Sequence, residues 1–301
     1  MVKMGEWSDS PPYLHALFSG EVRHVAAKRR ETARSVMSIC RGGCTGCSSI
    51  RLFCTGMIAR IGAPWMRQVD LRPNPADTML LLPIRIEAVL TEFPWANWLF
   101  IAVCSIVSIA VFNDLLPEAV VLAMIADGWH PAGLFGYMVL HGDYVHLAGN
   151  MLFLWVFGNA VCGTARNVIY LVAFPFCGVV AAVIHNLAVG GAMVGASGAI
   201  NGVIGFTLAI YPINRVHLFY WAIVRFGTFG LPVWAITLFW FAFDIFGASV
   251  GAEGVAYWAH IGGLVSGVAL GVVMLKGGWI VLTEWDNPTL VDVFAGRRAP
   301  R

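Results

Sequence analysis

The sequence predicts an all-α membrane protein of six transmembrane helices, and three observations carry that prediction. The chain is 58% hydrophobic and only 12% charged, with a mean hydropathy of +0.74, whereas a soluble domain carries about 25% charged residues. From Pro94 to Met274 the apolar residues gather into runs broken by short polar gaps, each approaching the roughly 20 residues that cross a hydrocarbon core of about 30 Å. The basic residues are also sorted. All 19 Lys and Arg fall before the first run, between the second and third, between the fourth and fifth, or after the sixth. The alternate loops hold Asp114, Glu118, Asp127, Asp143 and Glu253 and no basic residue. Positive charge marks the cytoplasmic side, so both termini are expected there. An odd number of helices would break the sorting.

The elements follow in chain order. Residues 1–78 are basic and loop-like and read as a disordered, targeting or regulatory cytoplasmic segment. No compact apolar core there leads to a small-residue cleavage site, so no secretory signal is expected. Cys40, Cys44, Cys47 and Cys54 have the number but not the paired C-x-x-C spacing of a zinc site, and no metal is expected. The functional part starts on this reading near Met79, just before the apolar Leu80–Leu82 and the first span. A helical domain then covers 79–276, and 277–301 form a cytoplasmic tail. The spans are expected at about 96–113, 146–162, 168–188, 197–213, 230–247 and 256–275. Residues 114–145 are too long and mixed for a tight connection and read as a partly embedded interfacial loop. Cys104, Cys162 and Cys177 fall in spans and read as packing. Asp244, inside the fifth span, must face protein or a watery cavity.

Polar side chains inside spans are costly, so each one asks for a reason. With the termini inside, spans two, four and six begin at the outer surface. Near those starts stand His146 and Asn150, then Ser197, then His260. At a rise of about 1.5 Å per residue, all four lie at similar depth. Glycines line the faces between them: Gly263, Gly267 and Gly271 recur below His260, and Gly198, Gly202 and Gly205 follow Ser197. Such small-residue seams bring membrane helices close together, within reach for Ser197 and His260. A Ser hydroxyl becomes a useful nucleophile when an adjacent base takes its proton, and His is suited to that near neutral pH. His146 and Asn150 are one turn apart and share a face. With the Ser197 amide at a helix start, they can donate to one developing oxyanion. Asp143 and Tyr144 read as a cap or anchor for span two, and His130, His141 and His185 as interface residues. Asp244 is a conceivable third partner of His260, but nothing in the sequence places it there and it reads as structural.

The motifs resemble those of the rhomboid family of intramembrane serine proteases. His146-Leu-Ala-Gly-Asn150 resembles the family's H-x-x-x-N element. Gly195-Ala-Ser-Gly198 matches its G-x-S-G nucleophile motif, and Ala259-His260-Ile-Gly-Gly263 its final-helix histidine motif. Their order and spacing fit over about residues 79–276. The resemblance implies a six-helix rhomboid-like bundle and a Ser197–His260 dyad, without an acidic third member, that hydrolyses peptide bonds. It implies His146, Asn150 and the Ser197 amide as the oxyanion hole. It also implies single-span membrane proteins as substrates and no cofactor. The expected setting is a lipid bilayer, as a multi-pass protein of a bacterial inner membrane; no nucleic acid is expected. Three departures stand out: Asn201 where members often carry an aromatic, Cys162 where an acid commonly ends the second helix, and Ala132-Gly133 in place of an aromatic–basic pair. The competing functions are a non-catalytic relative that binds membrane proteins, which usually lacks the serine or histidine, and a small transporter using the polar cluster as a pathway.

Overall fold

The apolar runs form helices because they are hydrophobic around most of their circumference, and the helix Asn167–Ala188 continues even through Pro175. The computed structural model describes residues 79–222, 225–252, 254–280, 282–283 and 288–296. In chain order the elements are β1 (Met79–Ile86), α1 (Trp95–Phe112), α2 (Glu118–Met124), α3 (Pro131–Gly136), α4 (Tyr144–Ala165), α5 (Asn167–Ala188), α6 (Ser197–Ile210), β2 (Arg215–Ala222), β3 (Arg225–Pro232), α7 (Val233–Val250), α8 (Tyr257–Lys276) and α9 (Leu290–Phe294). The cysteines at 40–54 and all the basic residues of the first 78, and with them the segment expected at 1–78, lie outside the described residues.

Among the described residues, five helices are long and apolar enough to cross a membrane: α1, α4, α5, α7 and α8. The chain is therefore an integral membrane protein. The fourth expected span, placed at 197–213, is a shorter apolar helix of 14 residues. It stops early because Tyr211 precedes Pro212, and a residue before proline is pushed out of the helical region. Tyr211 accordingly sits at φ −127° and ψ 52°.

Polar contacts fix how the helices pack. Asn97 of α1 is fully buried and donates to the Leu154 carbonyl and to Asn159 Oδ1, both at 2.9 Å, while the Tyr170 hydroxyl donates to its Oδ1 at 2.7 Å. It meets α4 where that helix widens to a π turn at Leu154–Gly158. Such turns are where inserted side chains satisfy loosened backbone groups. At the far end of α4, Asn167 Oδ1 accepts from the Ala96 amide at 2.9 Å and from Cys162 Sγ at 3.1 Å. Cys162 is thus packed into the junction of α1, α4 and α5.

The sequence reading missed a sheet. β1, β2 and β3 form an antiparallel sheet in the order β1-β2-β3, with Leu82 opposite Phe219 and Phe219 opposite Thr228. Val216 and Leu218 turn inward and join the core, while Trp221 and Phe226 are exposed. Pro83, which lacks an amide to pair, sits where the register shifts between Pro83 and Arg85, a place where strands tolerate proline. The sheet carries three arginines, with Arg85 opposite His217 near the Arg215 end of β2 and Arg225 opposite Ala222 at the other end. Glu87 accepts from His217 at 2.8 Å beside it, and this bond holds the Glu87 carboxyl below the usual range.

The segment 114–145 also departs from expectation. It holds α2, α3 and a 3-10 turn at Tyr137–Val139, and its last part is core rather than interface. Tyr137, Met138, Leu140 and His141 are all buried. The Tyr137 hydroxyl donates to the Gly178 carbonyl at 2.8 Å, and its own carbonyl accepts from Gly195 at 2.9 Å. This segment therefore anchors the loop that leads into α6.

Candidate active site

Three helix starts build the site. Ser197 opens α6, His260 lies in the first turn of α8, and His146 and Asn150 lie in the first two turns of α4. Each start is set locally. The Asp143 side chain caps α4, accepting from the His146 amide at 2.6 Å, as the sequence leads one to expect of an N-cap acid. Before Ser197 the chain turns at Gly195, whose φ of +113° excludes ordinary side chains.

The glycine faces meet as the sequence predicts. A Cβ at Gly263 would collide with the Gly198 carbonyl, one at Gly267 with the Gly202 carbonyl, and one at Gly205 with the Leu264 carbonyl. Helices α6 and α8 thus touch backbone to backbone. Across this seam His260 Nε2 lies 2.9 Å from Ser197 Oγ. The two groups share one hydrogen bond, although 63 residues separate them in sequence.

His146 and Asn150 converge on the turn before the serine. A Cβ built on Gly195 would stand 2.7 Å from His146 Nε2 and 3.5 Å from Asn150 Nδ2, so glycine leaves space for both groups two residues from Ser197. The Gly142 amide donates to His146 Nδ1 at 3.4 Å, which leaves the ring proton on Nε2, facing the Gly195 turn. Asn150 Nδ2 is buried and has no hydrogen-bond partner among the described residues. A buried orphan donor is costly in a structural role. The Ser197 amide, in the first turn of α6, is among the backbone donors that a helix start leaves free of intrahelical bonds. These groups are arranged to receive negative charge beside a hydroxyl that has a base at hand.

Several other polar residues are placed differently from the sequence reading. Asp244 of α7 is not a lone structural acid: its Oδ1 lies 3.0 Å from His260 Nδ1, because the face of α7 that carries it packs on α8. His141 and His185, expected at the interface, are buried. His141 Nδ1 lies 2.8 Å from Ser108 Oγ, which itself donates to the Val139 carbonyl at 3.0 Å. Burial, with His146 nearby, pushes His141 down to about 3, so the ring is neutral and donates through Nδ1. Its ring stands edge-on to that of His146, with centroids 5.2 Å apart, and supports that ring from behind. His130 instead caps α3, accepting from the Gly133 amide at 3.0 Å. Asn201 donates to the Ser197 carbonyl one turn back in its own helix at 3.0 Å. Among the described residues no group of three or more His, Cys, Asp or Glu side chains is disposed to hold a metal ion.

A protein-family model, the Rhomboid domain, matches residues 128–277. That stretch contains His146, Asn150, Ser197, Asp244 and His260. No curated protein matches the chain.

Proposed function

The chain belongs to the rhomboid family, and from that premise we propose that it is a serine endopeptidase that cleaves membrane proteins in or beside their transmembrane segments. One observation carries the reading: the 2.9 Å contact between Ser197 Oγ and His260 Nε2 across a glycine seam. Serine–histidine contact alone is common in proteins. Here it stands beside three donors and inside an apolar bundle, where an unused polar cluster would be a net cost.

The chemistry follows from the atoms. Ser197 Oγ attacks the scissile carbonyl carbon while His260 Nε2 takes the hydroxyl proton. The carbonyl oxygen becomes an oxyanion and accepts from the Ser197 amide, His146 Nε2 and Asn150 Nδ2. The intermediate collapses as His260 passes its proton to the departing amine, leaving an acyl ester on Ser197. Water then repeats the two steps with His260 again as base, and the acid product leaves. No cofactor enters the scheme.

The reading includes a six-helix bundle, with α6 as its short fourth span. It places the sheet and both termini in the cytoplasm, since all 19 Lys and Arg fall in the sequence segments assigned to that side. Single-span membrane proteins are the substrate class. The test is reconstitution into liposomes with a generic single-span substrate, comparing wild type with Ser197→Ala and His260→Ala. Cleavage is expected only in wild type, as is labelling of the serine by a fluorophosphonate. Wild-type protein that folds but neither cuts nor labels would make it a non-catalytic relative that binds membrane proteins.

A further inference from the structure

The scheme above leaves one buried carboxylate unused. Asp244 is 8% exposed, lies on α7, and has His260 as its only hydrogen-bond partner among the described residues. The two contacts on the imidazole are on opposite nitrogens: Nδ1 to Asp244 Oδ1 at 3.0 Å and Nε2 to Ser197 Oγ at 2.9 Å. Three helices thus supply a carboxylate, an imidazole and a hydroxyl in line. The side chains of Asp244 and His260 are only 11% and 16% accessible, so water competes little for either contact.

We propose that Asp244 is a positioning residue that makes His260 a base, completing a Ser–His–Asp relay where the family resemblance implies a dyad. This inference rests on the proteolytic reading. A neutral imidazole carries one proton, and the nitrogen without it is the only one that can accept. A carboxylate accepts and cannot donate, so Asp244 holds that proton on Nδ1 and leaves the Nε2 lone pair facing Ser197. Without this acceptor the ring is free to carry its proton on Nε2, where it would donate to Ser197 and could not take the hydroxyl proton. During attack the serine proton moves to Nε2, the Nδ1 proton stays on the ring, and the ionised Asp244 faces the new imidazolium. The carboxylate itself is never protonated. The pairing also accounts for the acid in a span, since an intramembrane charge persists where it has a partner.

The experiment compares wild type with Asp244→Asn, Asp244→Ala and Asp244→Glu as full chains in liposomes, with a generic single-span substrate. Asp244→Asn is expected to lower kcat by about 10²–10⁴-fold, as the equivalent change does in soluble triads, with KM within about threefold of wild type. Asp244→Glu restores part of that loss, which a merely structural role would not produce. A readout independent of activity is the ¹⁵N spectrum of histidine-labelled protein, with the His260 signal assigned by its loss in His260→Ala. Wild type is expected to show the Nδ1-protonated ring and Asp244→Asn the Nε2-protonated ring. Overturning results are kcat of Asp244→Asn within about threefold of wild type, or an Nε2-protonated His260 in wild type, a measurement that needs no variant to fold. A wild type that neither cuts nor labels would overturn the proteolytic reading instead, and the ring signal would still decide what Asp244 does.

Discussion

Gly263→Ala should uncouple the site from the rest of the protein. The added Cβ overlaps the Gly198 carbonyl, and a carbon meets a carbonyl oxygen comfortably at about 3.3–3.6 Å. Helices α6 and α8 must therefore part by roughly 1 Å or more at this level. Ser197 adjoins Gly198, and His260 lies one turn from Gly263, so the separation falls on their contact of 2.9 Å and takes it to about 4 Å, beyond hydrogen-bond length. A misplacement of about 1 Å can cost about 10²-fold in rate, whereas the overpacking costs about 1–3 kcal/mol of stability. Gly271→Ala is the control, because its Cβ would press on Ala209 at 2.6 Å and on the Phe206 ring, far down α8 from the site. The assay is cleavage of a reconstituted single-span substrate, with fluorophosphonate labelling and thermal unfolding measured alongside. Both variants should lose similar stability, while only Gly263→Ala should lose about 10²-fold in cleavage and labelling. If Gly263→Ala cuts within about threefold of wild type, the backbone seam does not position the pair and the reasoning fails.

Three further outcomes test other parts of the structure. If Asn150 donates to the oxyanion as proposed, Asn150→Ala should lower kcat by about 10–10³-fold with little change in KM; an unchanged kcat would return Asn150 to a structural role. Asn97→Ala strands the Tyr170 hydroxyl and the Leu154 carbonyl and should destabilise the bundle by about 1–3 kcal/mol, read as a fall in unfolding temperature; an unchanged temperature would mean that the π turn is not held by this side chain. Glu87 is depressed in the folded protein by its bond from His217, so its contribution is present above the unfolded carboxyl range and is lost as pH falls through the folded value. The small difference in unfolding temperature between wild type and Glu87→Gln should therefore shrink below about pH 4, and a difference that grows on acidification would reverse the assignment.

The spans were legible because a bilayer demands long apolar runs, and the observed helices start and stop within a few residues of the expected bounds. The meeting of Ser197 and His260 was legible too, since glycines at helical spacing declare a close seam before any distance is known. What the sequence hid was contact between elements whose partner has no periodic signature. Asp244 occupies a position in α7 that reads only as an acid inside a span; which helix it faces depends on how α7 packs. His141 reads as an interface residue because its partner, Ser108 on α1, is 33 residues away in the chain. The sheet was hidden for a different reason: Met79–Ile86 lies ahead of the first expected span and Arg215–Ala222 in the connection between the fourth and fifth, and their pairing joins segments far apart in the chain.

That sheet sets the order in which the protein can be built. Glu87 and His217 are 130 residues apart in the chain, and at about 5–20 residues per second a ribosome takes roughly 7–26 s to cover that distance. Until then β1 waits with no strand to pair with, while α1, α4, α5 and α6 are delivered one after another. Pairing of β1 with β2 closes a long loop, a step that pays its entropy before it is rewarded. Asp244 and His260 are made only after this. The newborn chain therefore carries Ser197 through insertion without His260 beside it, and α8, the last of the long apolar helices to emerge, completes the hydrogen-bonded line.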